Sequence, residues 1–222
     1  MTLVRVIAID GAAGSGKSTL ARGLAGALGL PYVNTGSMYR ALTLAALEAG
    51  IGVDDEVALA GLMSTLRFSL GGGPTPELWI EGSPPSASLT SIGVEEAVSA
   101  VARHPQVRAL MREEQRRLGA EGAVVEGRDM ASVVFPQAPL KIYLVADPIV
   151  RAARADRRSV EPEGSRAAGA LHARDERDAN VNPFEPQPDA VVIDTTSLDT
   201  KATLAIALRL SRERMPEVGR DG

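Results

Sequence analysis

Near its start the chain reads Val6-Ile7-Ala8-Ile9-Asp10-Gly11-Ala12-Ala13-Gly14-Ser15-Gly16-Lys17-Ser18-Thr19, then Leu20-Ala21-Arg22-Gly23-Leu24-Ala25. A short apolar run of strand type gives way to G-x-x-x-x-G-K-S and then to helix-forming residues. The glycines let backbone N–H groups converge on one point without a Cβ in the way. Gly11 through Thr19 therefore predict a phosphate-binding loop for a nucleoside triphosphate. In it Lys17 reaches the β- and γ-phosphates, the Ser18 hydroxyl meets Mg²⁺, and the following helix N-terminus favours the anion. The pattern alone also fits a Gly-rich turn that binds nothing. The flanking strand and helix are the context that favours the phosphate reading.

Composition narrows the remaining chemistry. At 222 residues and 45% apolar content the chain is long enough for a sizeable core in one or two domains. No apolar run is long enough to cross a bilayer, and no charged-then-apolar leader precedes the first strand, so a cytoplasmic enzyme is expected. The absence of cysteine excludes disulfides, thiolate metal sites and cysteine nucleophiles. His104 and His172 stand apart, which argues against a histidine metal cluster or a His-centred triad. A net charge of −4 argues against a nucleic-acid polymer as partner. Positive charge is almost wholly arginine, with only Lys17, Lys141 and Lys201 as lysines. A biased base composition would explain that excess but not where the arginines fall.

Strands and helices alternate along most of the chain. Pro31-Tyr32-Val33 reads as a second strand ending in Asn34-Thr35-Gly36, and Ser37-Met38-Tyr39-Arg40 opens a helix that Gly50 stops. Asp54-Asp55-Glu56 starts another, with acids in the first turn. From about Leu66 to Pro85 the pattern changes to a small antiparallel meander, read as an insert. Helical periodicity returns over Val94 to Val101 and Pro105 to Leu118. Ala123 to Glu126 and Leu140 to Val145 read as buried parallel strands, and Asp147-Pro148 starts an arginine-rich helix. Ser159 to Ser165 is a polar connection, and a charged helix follows to about Asn180. Ala190 to Asp194 is the last strand, and Thr196 or Ser197 caps the final helix. The expected fold is α/β: a doubly wound parallel sheet of phosphate-loop type, with a small antiparallel β insert and a short helical lid.

Three further segments carry charge where such a sheet binds ligands. Arg40 begins a helix directly after a strand, placed to clamp an acceptor phosphate; a plain surface arginine is the alternative. Glu126-Gly127-Arg128-Asp129-Met130 puts three charges at the end of a buried strand, with Glu126 near the Mg²⁺ shell, directly or through water. Arg151 and Arg154 share a helix face, and Arg174-Asp175-Glu176-Arg177-Asp178 lies beyond a Pro/Gly-interrupted stretch. The later segment fits either a solvated, self-paired helix or a closing lid.

The chain resembles the bacterial cytidylate kinases, which are nucleoside monophosphate kinases, over nearly its full length. The matching runs are Ile9-Asp10-Gly11 through Thr19; Thr35-Gly36 with Met38-Tyr39-Arg40; and Ser99 to Ala102 with Pro105, Val107 and Arg108. They continue in Glu126 to Met130, Val133-Val134-Phe135-Pro136 with Ala138-Pro139, Arg174-Asp175 with Arg177-Asp178, and Pro188-Asp189-Ala190 running into Ile193-Asp194-Thr195. The resemblance implies a core (1–33, 97–158 and 186–222), a monophosphate-binding region with the β insert (34–96) and a lid (159–185). It implies Mg²⁺-dependent transfer of the ATP γ-phosphoryl group to CMP or dCMP by a monomer, with ATP and Mg²⁺ as cofactors.

By position, the resemblance assigns Lys17, Arg128, Asp129 and Arg154 to catalysis. Thr35, Tyr39, Arg40, Ser99, Arg108, Arg128, Asp129, Arg174 and Asp178 fall on the substrate side. Within that set Ser99, Arg108 and Asp129 would read the cytosine edge, Arg40 and Arg128 the CMP phosphate, and Arg174 and Asp178 the sugar. No general base is identified. Four positions depart from the family pattern: Val181 stands in place of an arginine, Ala179 of a serine, Asn34 of an aspartate and Thr90 of an arginine. Altered specificity or affinity is expected from these, not lost activity. Kinases for AMP, UMP, dTMP or shikimate are the alternatives within enzymes, opposed by the insert and the Ser99/Arg108/Asp129 set. A regulatory nucleotide switch would carry an N-K-x-D motif, which is absent.

Overall fold

A computed structural model of the chain describes residues 5–156 and 185–216. The segment expected to form the lid (159–185), with Arg174, Asp178, Ala179 and Val181, lies outside the described residues except for Glu185. Five strands form one parallel sheet: β1 (Val6–Gly11), β2 (Tyr32–Asn34), β5 (Ala123–Gly127), β6 (Leu140–Val145) and β7 (Val191–Asp194), in the order β2-β5-β1-β6-β7. The chain leaves the central β1 toward one edge and later returns to fill the other. The carboxyl end of β1 is therefore the point where the strand order reverses, and a crevice opens there.

Period-two alternation divides the core. Val6 and Ala8 face one side of the sheet and pack with α2 (Thr35–Glu48), α3 (Glu56–Met63) and α5 (Pro105–Gly119). Ile7 and Ile9 face the other and pack with α1 (Lys17–Leu28) and α7 (Thr200–Arg214). All four of these β1 side chains are fully buried, as parallel strands covered on both faces require. Lys141 on β6 is buried and donates to Asp189 at 2.7 Å.

Between α3 and α4 (Ile92–Ala102), the small antiparallel insert is a two-stranded hairpin, β3 (Phe68–Leu70) with β4 (Leu78–Ile80). The Tyr32 N–H donates to the Pro76 carbonyl at 2.7 Å, which ties the hairpin to β2. Two helix starts differ from expectation. α2 begins at Thr35, not Ser37, because the Asn34 side chain caps it by accepting from the Ser37 N–H at 3.0 Å. The final helix is capped by Asp199, which accepts from the Ala202 N–H at 2.7 Å. Thr196 is instead engaged with α6 (Pro148–Asp156), its hydroxyl accepting from the Asp147 N–H at 2.9 Å. No helix among the described residues is long and apolar enough to cross a membrane.

Gly71, at the end of β3, leaves room for Trp79: a Cβ there would lie 2.0 Å from the indole Nε1. Trp79 is the chain's single tryptophan, so its fluorescence reports on the hairpin alone. Gly71→Ala is expected to displace the indole, shift its emission and destabilise the fold by about 1–3 kcal/mol. Emission spectra and urea unfolding check this; unchanged emission with unchanged stability would mean that the ring does not rest over Gly71.

Candidate active site

The predicted loop sits at the carboxyl end of β1 and leads into α1, whose first residue is Lys17. Its backbone carbonyls accept from three cations, one of its own and two from elsewhere in the chain. Lys17 Nζ turns back to donate to Gly11 O at 2.7 Å and Ala12 O at 2.8 Å. Arg128 Nη1, at the end of β5, donates to the same Gly11 O at 3.0 Å. Arg151 Nη1 on α6 donates to Ala13 O at 3.1 Å. Gly14 has φ +73, and a Cβ there would lie 2.7 Å from the Arg151 carbonyl, so both its backbone angle and that close approach call for glycine.

Arg154 is held one step away from the loop. Its Nη1 and Nη2 donate to the Thr195 hydroxyl at 3.0 Å and the Thr195 carbonyl at 2.6 Å. That hydroxyl in turn lies 3.0 Å from Ser15 O and donates to it. The residues beyond β7 thus brace the loop and α6 together.

Glu126 lies across from the helix start. Its Oε2 accepts from the Ser18 hydroxyl at 3.1 Å and its Oε1 from the Tyr32 hydroxyl at 2.5 Å. Thr35 Oγ1 donates to the Glu126 carbonyl at 2.7 Å, joining the start of α2 to the end of β5. A hydroxyl beside a carboxylate offers hard oxygen donors, which suit Mg²⁺. Among the described residues no group of three or more His, Cys, Asp or Glu side chains is placed to hold a metal ion. The donor set therefore fits a cation that takes few protein ligands and completes its shell with phosphate and water. Burial, then the neighbouring Glu126 charge, pushes the Tyr32 phenol far above its ordinary range, so it stays a proton donor.

On the opposite wall Asp129 is gripped from α5. Arg108 Nη2 reaches its Oδ2 at 2.8 Å and Arg112 Nη2 the same oxygen at 3.4 Å. Tyr39 packs alongside, its phenol raised chiefly by burial. Arg40 pairs with Glu95 of α4, Nε to Oε1 at 2.7 Å, and Ser99 is buried on the same helix. The structure thus brings Ser18 and Thr35 to Glu126 and Arg128 to the loop on one side, and Tyr39, Arg108 and Arg112 to Asp129 on the other, while Arg40 is paired with Glu95. Arg112, Glu95, Tyr32, Thr195 and Asp10 escape the sequence reading. Arg112 lies four residues beyond Arg108, a helical repeat that points it at the same partner.

Asp10 joins the two sides. Its carboxylate is buried and accepts from the Met130 N–H at 2.9 Å and the Ala131 N–H at 2.8 Å. Met130–Val134 form a single π-turn, pinned by these bonds to the end of β1.

The profile of a family described as cytidylate kinase matches residues 7–213. A cytidylate kinase of Nocardia farcinica is 40% identical over 202 residues, covering 87% of each chain. One of Klebsiella pneumoniae is 39% identical over 222 residues, covering 96% of this chain and 97% of its own. A bifunctional pantoate ligase/cytidylate kinase of a Synechococcus strain is 38% identical over 227 residues; 96% of this chain is covered, but only 42% of that longer protein.

Burial holds the Asp10 carboxyl up at about 6 against an ordinary value of 3.8, outweighing the two N–H donors that favour its charge. The folded state therefore takes up a proton before the unfolded chain does, and Asp10 adds stability as pH falls from about 6 toward 4. Relative to Asp10→Asn, whose side chain does not titrate, the wild type is expected to gain on the order of 1 kcal/mol between pH 7 and pH 5. Paired urea titrations measure this. A difference that stays flat with pH would place the Asp10 carboxyl in its ordinary range.

Proposed function

The chain belongs to the cytidylate kinase family, and from that premise we infer that it transfers the γ-phosphoryl group of ATP to CMP or dCMP, giving ADP and CDP or dCDP. The observation that carries this reading is the meeting of Lys17 and Arg128 on a single oxygen, Gly11 O. One cation comes from the donor loop and the other from the strand end that bears Asp129. A transferring phosphoryl group develops charge between donor and acceptor, and this is where two cations from separate segments serve it.

Lys17 and the backbone N–H groups of the loop bind the β- and γ-phosphates of ATP, and Arg151 and Arg154 stiffen the loop's far edge. Arg128 and Arg40 hold the acceptor phosphate, with Arg40 leaving Glu95 to do so. Arg108 and Arg112 both contact Oδ2 of Asp129, which orients that carboxylate to accept from the exocyclic amine of cytosine through Oδ1. Arg108 faces the ring acceptors and Ser99 completes the edge; Thr35 and Tyr39 shape the wall beneath. Ser18 and Glu126 would hold Mg²⁺, which neutralises phosphate charge and aligns the donor when bound. No general base is assigned, because positioning and charge carry most of this reaction.

An ADP-release assay with ATP and Mg²⁺ against CMP, dCMP, AMP and UMP tests the acceptor. A site built to hydrogen-bond one base should favour CMP and dCMP by about 100-fold or more. Turnover with CMP no higher than with AMP, UMP or no acceptor would refute the reading. Asp129→Ala is expected to lower kcat/KM for CMP by about 10- to 100-fold, the cost of losing a charged hydrogen bond. Its affinity for ATP should stay within about twofold of wild type, since no ATP contact is assigned to it. Equal losses on both sides would move Asp129 to the nucleotide-donor side.

A further inference from the structure

The Glu126 carboxylate is buried, 3% exposed, and the terminal torsion of a glutamate is broad and two-fold. Something other than its own rotamer must set how the plane of the carboxylate is turned toward Ser18. The adjacent strand provides it. β2 and β5 pair in register with Tyr32 opposite Val124 and Asn34 opposite Glu126. Tyr32 is thus the diagonal neighbour of Glu126 on one face of the sheet, within reach of a long side chain. Its hydroxyl donates to Oε1 at 2.5 Å while Oε2 remains 3.1 Å from Ser18 Oγ.

The direction of the Tyr32 proton is fixed in turn by Asn34. Oδ1 of that amide must face the Ser37 N–H it accepts from, at 3.0 Å. Its Nδ2 is thereby turned to Tyr32 Oη, at 3.3 Å, and can only donate. The phenol proton is left for Glu126. An aspartate at position 34 would cap the helix equally well but offer Tyr32 a second acceptor, so the amide here has a specific consequence. The ring is braced as well. The Arg22 guanidinium lies 5.0 Å from its centroid and pairs with Glu77 of the hairpin at 3.1 Å.

We propose that Tyr32 is a positioning residue for Glu126, holding its carboxylate turned toward Ser18 and so setting the affinity for the divalent cation that accompanies the nucleotide. The proposal rests on the reading of Ser18 and Glu126 as the metal side of the site. Partners that orient metal-ligating carboxylates typically matter by about 10- to 100-fold in metal affinity.

The experiment uses Mn²⁺ as probe and needs no acceptor, so it is independent of which monophosphate is used. Free Mn²⁺ is counted by electron paramagnetic resonance in titrations of protein with ATP, for wild type, Tyr32→Phe and Glu126→Gln. Metal-free ATP binding is measured alongside by equilibrium dialysis, and folding by urea midpoints. Tyr32→Phe removes one oxygen and keeps the ring in its packed place. It is expected to hold Mn²⁺ in the ATP complex about tenfold less tightly, with metal-free ATP binding unchanged, and Glu126→Gln should lose at least as much. If Glu126→Gln weakens Mn²⁺ binding and Tyr32→Phe does not, the positioning role is wrong while the metal side stands. If Glu126→Gln has no effect, the metal side itself is misplaced and the proposal falls with it. An equal loss of metal-free ATP binding in Tyr32→Phe would make Tyr32 a packing residue and overturn the proposal as well.

Discussion

A buried carboxylate at the end of the central strand holds the two halves of the site in one frame. Asp10 precedes the phosphate loop by a single residue, and both of its oxygens are committed to backbone N–H groups of the segment that follows Asp129. The loop that follows β1 and the turn that follows Asp129 are thereby fixed to each other through one buried side chain at a strand end. Keeping a charge there opposes burial, which is why the Asp10 carboxyl is raised to about 6. An unfavourable ionisation thus accompanies a defined spacing between the end of β1 and the turn after Asp129.

Sheet topology supplies the rest of that spacing. Because the strand order reverses beside β1, residues far apart in the chain arrive at one crevice: Lys17 from α1, Thr35 from the start of α2, Arg128 from the end of β5 and Arg151 from α6. Lys17, Thr35 and Arg128 each come from the end of an element whose body is packed in one of the two cores. Rigid bodies with functional ends suit a reaction in which little covalent chemistry is asked of the protein and most of the work is alignment.

Much of this was legible in the sequence. The loop, the Glu126–Asp129 cluster and Arg40 could be read because each joins a local pattern to a predicted element end, and the parallel strands because their apolar runs are continuous. What escaped depends on pairing between strands or on competition for one hydroxyl. Nothing local says that Tyr32 sits diagonally to Glu126, since that is a matter of β2–β5 register. Thr196 looked like a helix cap by type, but Asp147 claims its hydroxyl and Asp199 takes the capping role. Asn34, noted as a departure from the family's aspartate, proves to use both ends of its amide at once, which only the assembled structure reveals.

The Gly11 carbonyl, shared by Lys17 and Arg128, also sets a rule for what can enter the crevice. Both cations already donate to a neutral backbone oxygen, so an incoming molecule that takes over those bonds must offer a stronger acceptor. A hydroxyl or carbonyl on an uncharged ligand offers the same kind of acceptor and gains little by the exchange. A phosphate oxygen forms charge-assisted hydrogen bonds roughly twice as strong as neutral ones. Charge therefore weighs before shape at this loop: a nucleoside, with base and sugar but no phosphate, offers these donors nothing stronger than the backbone oxygens they already contact.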